Sequence, residues 1–375
     1  MHAATFFDGE GWRDGIVEFD GERMLLRDES PASDLHLPGL PRLDGVIIGG
    51  FTDHHVHLQL VDHELLRGST LGRVIDLGAN PTVVATLSAA LREAGKACAN
   101  SSGAKNASAD PRGAKSASET TVSDAFLTPH QRTTPHETPH RTPHPVSIEF
   151  AGAFLTPVGG YPSDRDWAPE GSFREIADRA TAERAVAEMA DAGASCIKVA
   201  SNATAGPVFD DDLFRAIVVA ASAHGLSVVA HAEGAGEAQR AARLGAARLA
   251  HSPFTERFDD AEITTQAASL SWISTLAIHD ADSAERTMVV DNVRRFHAAG
   301  GSVLYGTDMG NGPTPVGLNS AELAALRDAG IDGIDLLRTL APQNPLDPAS
   351  VLLKLSGTDA DPTLARPLTS ADLKA

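Results

Sequence analysis

Four stretches of this chain repeat one local plan: a helix-compatible segment, a glycine, a short apolar run, and then a residue able to do chemistry. Residues 181–192 lead to Gly193 and on to Cys196-Ile197-Lys198-Val199. Residues 211–224 lead to Gly225 and then to 226–230, which runs into His231-Ala232-Glu233. Residues 237–244 lead to Gly245 and then to 247–250, which runs into His251-Ser252-Pro253. Residues 284–299 lead to Gly300-Gly301 and then to 302–306, which runs into Thr307-Asp308. A glycine just past a helix accepts the left-handed conformation that ends it. The runs are apolar along most of their length, as expected for strands covered on both faces. Alternating strands and helices of this kind predict a parallel sheet, either doubly wound or closed. Counting strands decides between the two. The candidates are 51–58, 73–78, 147–156, 195–200, 226–232, 247–252, 271–276 and 302–308. Eight parallel strands predict a (β/α)8 TIM barrel, whose reactive groups gather at the C-terminal ends of the strands. Lys198, His231, His251 and Asp308 each close a predicted strand.

The first strand carries the densest motif, Phe51-Thr52-Asp53-His54-His55-Val56-His57. Residues two apart on a strand share a face, so His55 and His57 aim at one spot and His54 at the other. Two converging imidazoles are half of a zinc site. Residues 1–49 read differently, as short strands punctuated by Asp8-Gly9, Asp20-Gly21 and Asp44-Gly45 turns. That segment is too small to bury much alone and is expected to pack with strands from elsewhere. Residues 97–146 interrupt the barrel pattern with Ser, Ala, Lys, Thr, Pro and His, and repeat Thr-Pro-His four times. Without periodic apolar residues such a stretch cannot offset its ordering entropy, so it is expected to be a disordered insertion. Its His130, His136, His140 and His144 could capture stray metal, but a solvated expansion without function is the better reading.

Composition narrows the partners. A formal net charge of -19 argues against nucleic acid and anionic membranes. No apolar run approaches the roughly 18 residues that span a bilayer, and the N-terminus lacks a secretory pattern. Cys98 and Cys196 cannot form a disulfide framework, and Cys196 reads as a small core residue. A cytoplasmic location and a small-molecule substrate follow as expectations, with a homo-oligomer left open.

The collected set is His55, His57, Lys198, His231, His251 and Asp308. Histidine and carboxylate are ordinary zinc ligands. Lysine is not, unless it is neutral or converted by CO2 to a carbamate. In this order, and each at a strand end, these residues resemble the amidohydrolase superfamily of metal-dependent hydrolases. The first-strand motif of that family, an apolar residue and an acid followed by His-x-His, matches Phe51 to His57, with Gly49-Gly50 where a proline usually stands. The run Val228-Val229-Ala230-His231-Ala232-Glu233-Gly234 is similar to the prolidase-like and imidazolonepropionase-like branch. The likeness covers about 45–310 and extends loosely to the N-terminal strands. It implies a small β-sandwich subdomain built from 1–49 with about 345–375, around a barrel of 50–344, with 351–355 as the returning strand.

The resemblance further implies two divalent ions, with zinc the expected metal. His55, His57 and Asp308 would hold one ion and His231 and His251 the other, with a carbamylated Lys198 bridging them. Such an ion lowers the pKa of its water toward ~7 and polarises a carbonyl, while Asp308 takes and returns the proton. That chemistry is hydrolysis of an amide or cyclic amide C–N bond. If Lys198 is not carbamylated, the alternative is a one-metal member of the superfamily: a deaminase, isomerase or decarboxylase. A non-catalytic metal-binding protein on the same scaffold is the third reading. Substrate contacts are expected from the loops after the strands, at Tyr161, Asn202, His279 and Asn311, with Arg165 and Trp167 as weaker candidates. His63, His224 and His297 read as surface or helix-end residues.

Overall fold

The computed structural model describes residues 1–21, 23–28, 39–100 and 146–374. Residues 101–145 of the low-complexity stretch lie outside the described residues, together with His130, His136, His140 and His144. Among the described residues no helix is long and apolar enough to cross a membrane.

Strands β1 (His2–Phe7), β2 (Trp12–Phe19), β3 (Met24–Asp28) and β4 (Arg42–Gly49) open the chain. The barrel follows with β5 (Phe51–Val56), β6 (Leu71–Asp76), α1 (Pro81–Asn100), β7 (Ser147–Phe150), β8 (Phe154–Pro157) and β9 (Phe173–Ile176). It continues through α2 (Arg179–Asp191), β10 (Cys196–Asn202), α3 (Asp211–Ala223), β11 (Ser227–Glu233), α4 (Glu237–Arg243) and β12 (Arg248–Leu249). Then come α5 (Asp260–Ala267), β13 (Ser271–Ile273), α6 (Ala284–Ala298), β14 (Ser302–Leu304), α7 (Ser320–Asp328) and α8 (Gly333–Thr339). The chain returns with β15 (Leu352–Leu355) and β16 (Arg366–Pro367).

Parallel pairing runs β5-β6-β7 in one sheet and β8-β10-β11-β12-β13-β14 in the other, with β9 added parallel at the outer side of β8. Two junctions close the ring. The Ser195 N–H donates to Phe150 O at 2.8 Å, joining the β7 end to the β10 start. The His54 N–H donates to Tyr305 O at 2.9 Å and the His57 N–H to Met309 O at 2.7 Å, joining the first strand to the eighth. The fold is therefore a (β/α)8 barrel. The predicted strand 147–156 is two strands, because Gly152 turns the chain at φ 77 between β7 and β8. Strand β9 was not anticipated from the sequence, since it is four residues long and half of them are polar.

Helices α2, α3 and α5 begin on acidic caps: Asp178, Asp210 and Asp259 each accept the backbone N–H three residues on. Helices α2, α3 and α6 run into Gly193, Gly225 and Gly300, at φ 90, 71 and 83. Between helices and strands lies the main core, where Trp272 stacks on Phe296 at 3.9 Å. Such a pair contributes about 0.5–1.5 kcal/mol beyond its buried area. Inside the ring, below the strand ends, Ile75, Leu77, Val229, Ile273 and the buried thiol of Cys196 fill the barrel.

The N- and C-terminal segments share one six-stranded mixed sheet, in the order β16-β15-β4-β1-β2-β3. Strand β15 lies antiparallel to β4, pairing Leu352 with Gly49 and Leu355 with Val46. Gly49 joins this sheet to the barrel and has no room for a side chain: a Cβ there would meet Gln343 O at 1.9 Å. That close approach gives a physical reason for glycine at this position.

Candidate metal centre

The first strand delivers His55 and His57 to the top of the barrel, and Asp308 arrives from the chain that follows β14. All three are almost wholly buried. Asp308 Oδ1 lies 3.2 Å from His55 Nε2 and 3.1 Å from His57 Nε2. The backbone at Asp308 adopts φ 55, a strained value for a non-glycine residue. His251, from the end of the sixth strand, packs its ring 4.8 Å from that of His55. His55, His251 and Asp308 each offer a ligand atom within 4.8 Å of the others, enough for one divalent ion. Among the described residues no second such triad is present.

The imidazoles are fixed from behind. His55 Nδ1 lies 2.8 Å from Ala250 O, His57 Nδ1 lies 3.2 Å from Gly78 O, and His251 Nδ1 lies 2.9 Å from Thr275 Oγ1. With Nδ1 donating to these oxygens, each Nε2 keeps its lone pair for the centre, the arrangement that metal-binding histidines need. His231 has different partners. Its Nε2 meets Glu233 Oε2 at 3.3 Å, and its ring stacks on Tyr161 at 5.2 Å. Lys198 is buried beneath, with Nζ 3.4 Å from His55 Nε2 and 5.8 Å from the Phe154 ring.

The electrostatics mark a place built for a cation. Burial alone would raise the Asp308 carboxyl, but the imidazoles of His55, His57 and His251 outweigh it and hold the group well below the usual carboxylate range. Burial would lower His57, yet the Asp308 carboxylate raises it above the ordinary imidazole value. Burial also pushes His55 and His251 well down, and Lys198 down to about 8. The Asp308 carboxylate that favours a proton on His57 would favour a divalent ion in its place. The donor set, imidazole nitrogens and a carboxylate, fits zinc and related ions.

The chain around these groups is held by carboxylates that the strand count did not single out. Asp53 Oδ1 accepts the His55 N–H at 3.0 Å and the Thr307 N–H at 3.2 Å, and Oδ2 accepts the Thr307 hydroxyl at 2.6 Å. One buried side chain therefore ties the strand of His55 to the segment of Asp308. Asp76 accepts the Leu58 N–H at 2.7 Å and the Gly78 N–H at 2.9 Å, fixing the carbonyl that holds His57. Glu322 on α7 accepts the Leu276 and Ala277 N–H groups at 2.9 and 2.6 Å, fixing the turn of Thr275, which sits at φ 45. Of these, Asp53 had a signal in the sequence: it shares the strand face of His55 and His57.

A cavity of about 450 Å³ opens over the cluster. His55, His57, Lys198, His231, His251 and Asp308 all line it, as do Tyr161, Asn311 and Trp167. Asn202 instead stands behind His231, where it donates to Glu233 Oε2 at 2.7 Å, and His279 packs behind Phe254 with rings 4.9 Å apart. Arg165 sits with its guanidinium 5.7 Å from the Tyr161 ring centroid. His54 is buried against Tyr305 O, away from the centre.

No family model matches the chain, and no curated protein does. Solved structures match over nearly all of it. A Xaa-Pro dipeptidase with bound methionine in the active site is 16% identical, with a TM-score of 0.61, over 99% of this chain and 95% of that one. The ochratoxinase of A. niger is 13% identical, with a TM-score of 0.61, over 95% and 90% of the two chains. Phenylurea hydrolase B is 13% identical, with a TM-score of 0.57, over 96% and 91%. At these identities the likeness is one of fold, over nearly all of the chain.

Proposed function

We propose that this chain is a metal-dependent hydrolase of the amidohydrolase superfamily, acting on an amide or cyclic amide C–N bond of a small molecule rather than on ordinary protein peptide bonds. The observation that carries the reading is the meeting of Asp308 with His55, His57 and His251 at the C-terminal mouth of the barrel, each imidazole anchored through Nδ1. A bound divalent ion supplies Lewis acidity and a water of lowered pKa. His55, His251 and Asp308 are the residues to hold it, with His57 sharing Asp308 Oδ1. Asp308 is the group to take a proton from water and pass it to the leaving amine. Its Oδ2 is steadied by Asn311 Nδ2 at 2.7 Å. Tyr161, kept protonated chiefly by burial, presents a hydroxyl donor on the cavity wall.

A single triad favours one ion over two. The two-ion reading rests on Lys198. An amine held near pKa 8 is neutral often enough to react with CO2, and a carbamate would add the oxygens that a second ion needs beside His231. Zinc is the ion expected from these donors, though N/O sites accept several divalent metals. Elemental analysis of the purified chain tests the count: one equivalent supports the first reading, and two equivalents, the second lost in Lys198→Ala, support the other. His55→Ala should remove bound metal and turnover together; unchanged metal content and turnover would sink the proposal.

A further inference from the structure

We propose that the substrate carries an uncharged aromatic or branched apolar group beside the scissile amide, and that a carboxylate on that side is rejected. The inference deepens the reading of the same site as an amide hydrolase and rests on it. Leu60, Phe154, Trp167, Phe254 and Ile278 form an apolar wall around the cluster. They come from five separate segments, and Phe154 and Phe254 pack on the rings of His57 and His251. Trp167 meets Phe154 edge-on at 6.4 Å, and Phe254 meets His251 edge-on at 6.2 Å. An aromatic or branched group gains most from such a wall, because burying it removes apolar area from water on every side.

The partly exposed charged side chain of the lining is an acid, Glu233. Glu233 lines the cavity and accepts from Asn202 Nδ2 at 2.7 Å and from the Thr204 hydroxyl at 3.0 Å, the donors a carboxylate asks for. Asp308 is the other acid. Among the described residues that line the cavity, Lys198 is the one lysine or arginine, and it is 1% exposed on the floor against His55. Arg165 lies outside the lining and is paired with Asp164 at 3.3 Å. A ligand carboxylate beside the apolar wall would lose its water, meet no lysine or arginine of the lining other than the buried Lys198, and face Glu233.

The test uses three amides of one scaffold on the metal-loaded full chain: 4-acetamidotoluene, 4-acetamidobenzamide and 4-acetamidobenzoate. Binding of the benzoate to the metal in a non-productive pose lowers kcat and KM alike, so kcat/KM is the quantity to compare. Both neutral amides should exceed the benzoate at least tenfold, and Glu233→Gln should narrow that ratio. A benzoate that matches or exceeds the benzamide overturns the proposal. If none is turned over, hydrolysis of these amides fails, and binding still decides the charge preference. Quenching of Trp167 fluorescence in metal-free protein, corrected with Trp167→Phe, gives the Kd values. Tighter binding of the benzamide supports the proposal; equal binding, or no binding of the neutral compounds, overturns it.

Discussion

Asp53 offers the sharpest test of how this centre is assembled. Its carboxylate bridges strands that are far apart in sequence, through the His55 N–H, the Thr307 N–H and the Thr307 hydroxyl. In Asp53→Ala two backbone donors are left buried without a partner, while the hydroxyl can turn elsewhere. Each orphaned buried donor costs about 1–3 kcal/mol, so the loss is about 2–6 kcal/mol before any cavity effect. Asp53→Asn behaves differently. Its Oδ1 can still accept both N–H groups, and its Nδ2 can donate to a rotated Thr307 hydroxyl, so the cost should stay below about 1 kcal/mol. Over 375 residues, an unfolding entropy of ~2.1 cal/mol/K per residue gives about 0.8 kcal/mol/K at the midpoint. The alanine variant should then melt about 3–8 °C lower and the asparagine variant within about 1 °C of the parent, by calorimetry at one fixed scan rate. Metal content should fall in the alanine variant alone, because His55 and Asp308 lose their common tether. Equal damage from the two substitutions would refute the hydrogen-bond account and make the negative charge itself the essential feature.

Thr275→Ala should separate stability from metal affinity. It removes the acceptor for His251 Nδ1, a type of loss that costs roughly 10–100-fold in metal affinity, yet relieves a β-branched residue at φ 45. Competition with a chromogenic chelator should show weaker binding while the melting temperature of the metal-free protein holds or rises. Glu322→Ala should weaken metal binding too, but with a stability loss of about 2–6 kcal/mol, since it orphans the Leu276 and Ala277 N–H groups. A third change lies at the far end of the fold. Asp372 accepts from Arg366, from the Thr369 N–H and hydroxyl, and faces Lys354; the Arg366 contact above all holds its carboxyl below the ordinary 3.8. A depressed carboxyl stabilises the fold above its unfolded pKa and loses that contribution as pH falls through its folded one. Asp372→Asn should therefore cost about 1–2 kcal/mol at neutral pH, with a gap from the parent that shrinks below about pH 3.8 in urea titrations. A gap that is constant with pH would show that the charge contributes nothing.

The barrel was legible in the sequence because its two signals are local. Glycines after helices and apolar runs between them mark each unit without reference to any other, and alternation along one strand fixes which way His55 and His57 point. Boundaries were less legible where strands are short: β12 keeps two residues in register and β13 and β14 three each, so the reactive residues His251 and Asp308 stand just beyond the ladder rather than on it. The loops divided along physical lines. Its place after a strand predicts that Asn202 faces substrate, yet its Oδ1 first accepts the N–H groups of Thr204 and Ala205, the local bonding that asparagine finds in any tight turn. His279 likewise finds Phe254 before it finds the cavity. Tyr161 and Asn311 line the cavity, one stacked on His231 and the other bonded to Asp308, so their own contacts hold them toward it. What the sequence hid were the long-range partners of the carboxylates that hold the centre in place. Asp53 meets Thr307 across 254 positions and Glu322 meets Leu276 across 46, and nothing local to either residue announces its partner. Such residues carry no ligand atom to the centre. Yet they decide whether the imidazoles and Asp308 lie within reach of one ion, and so whether a pattern readable one strand at a time becomes a site.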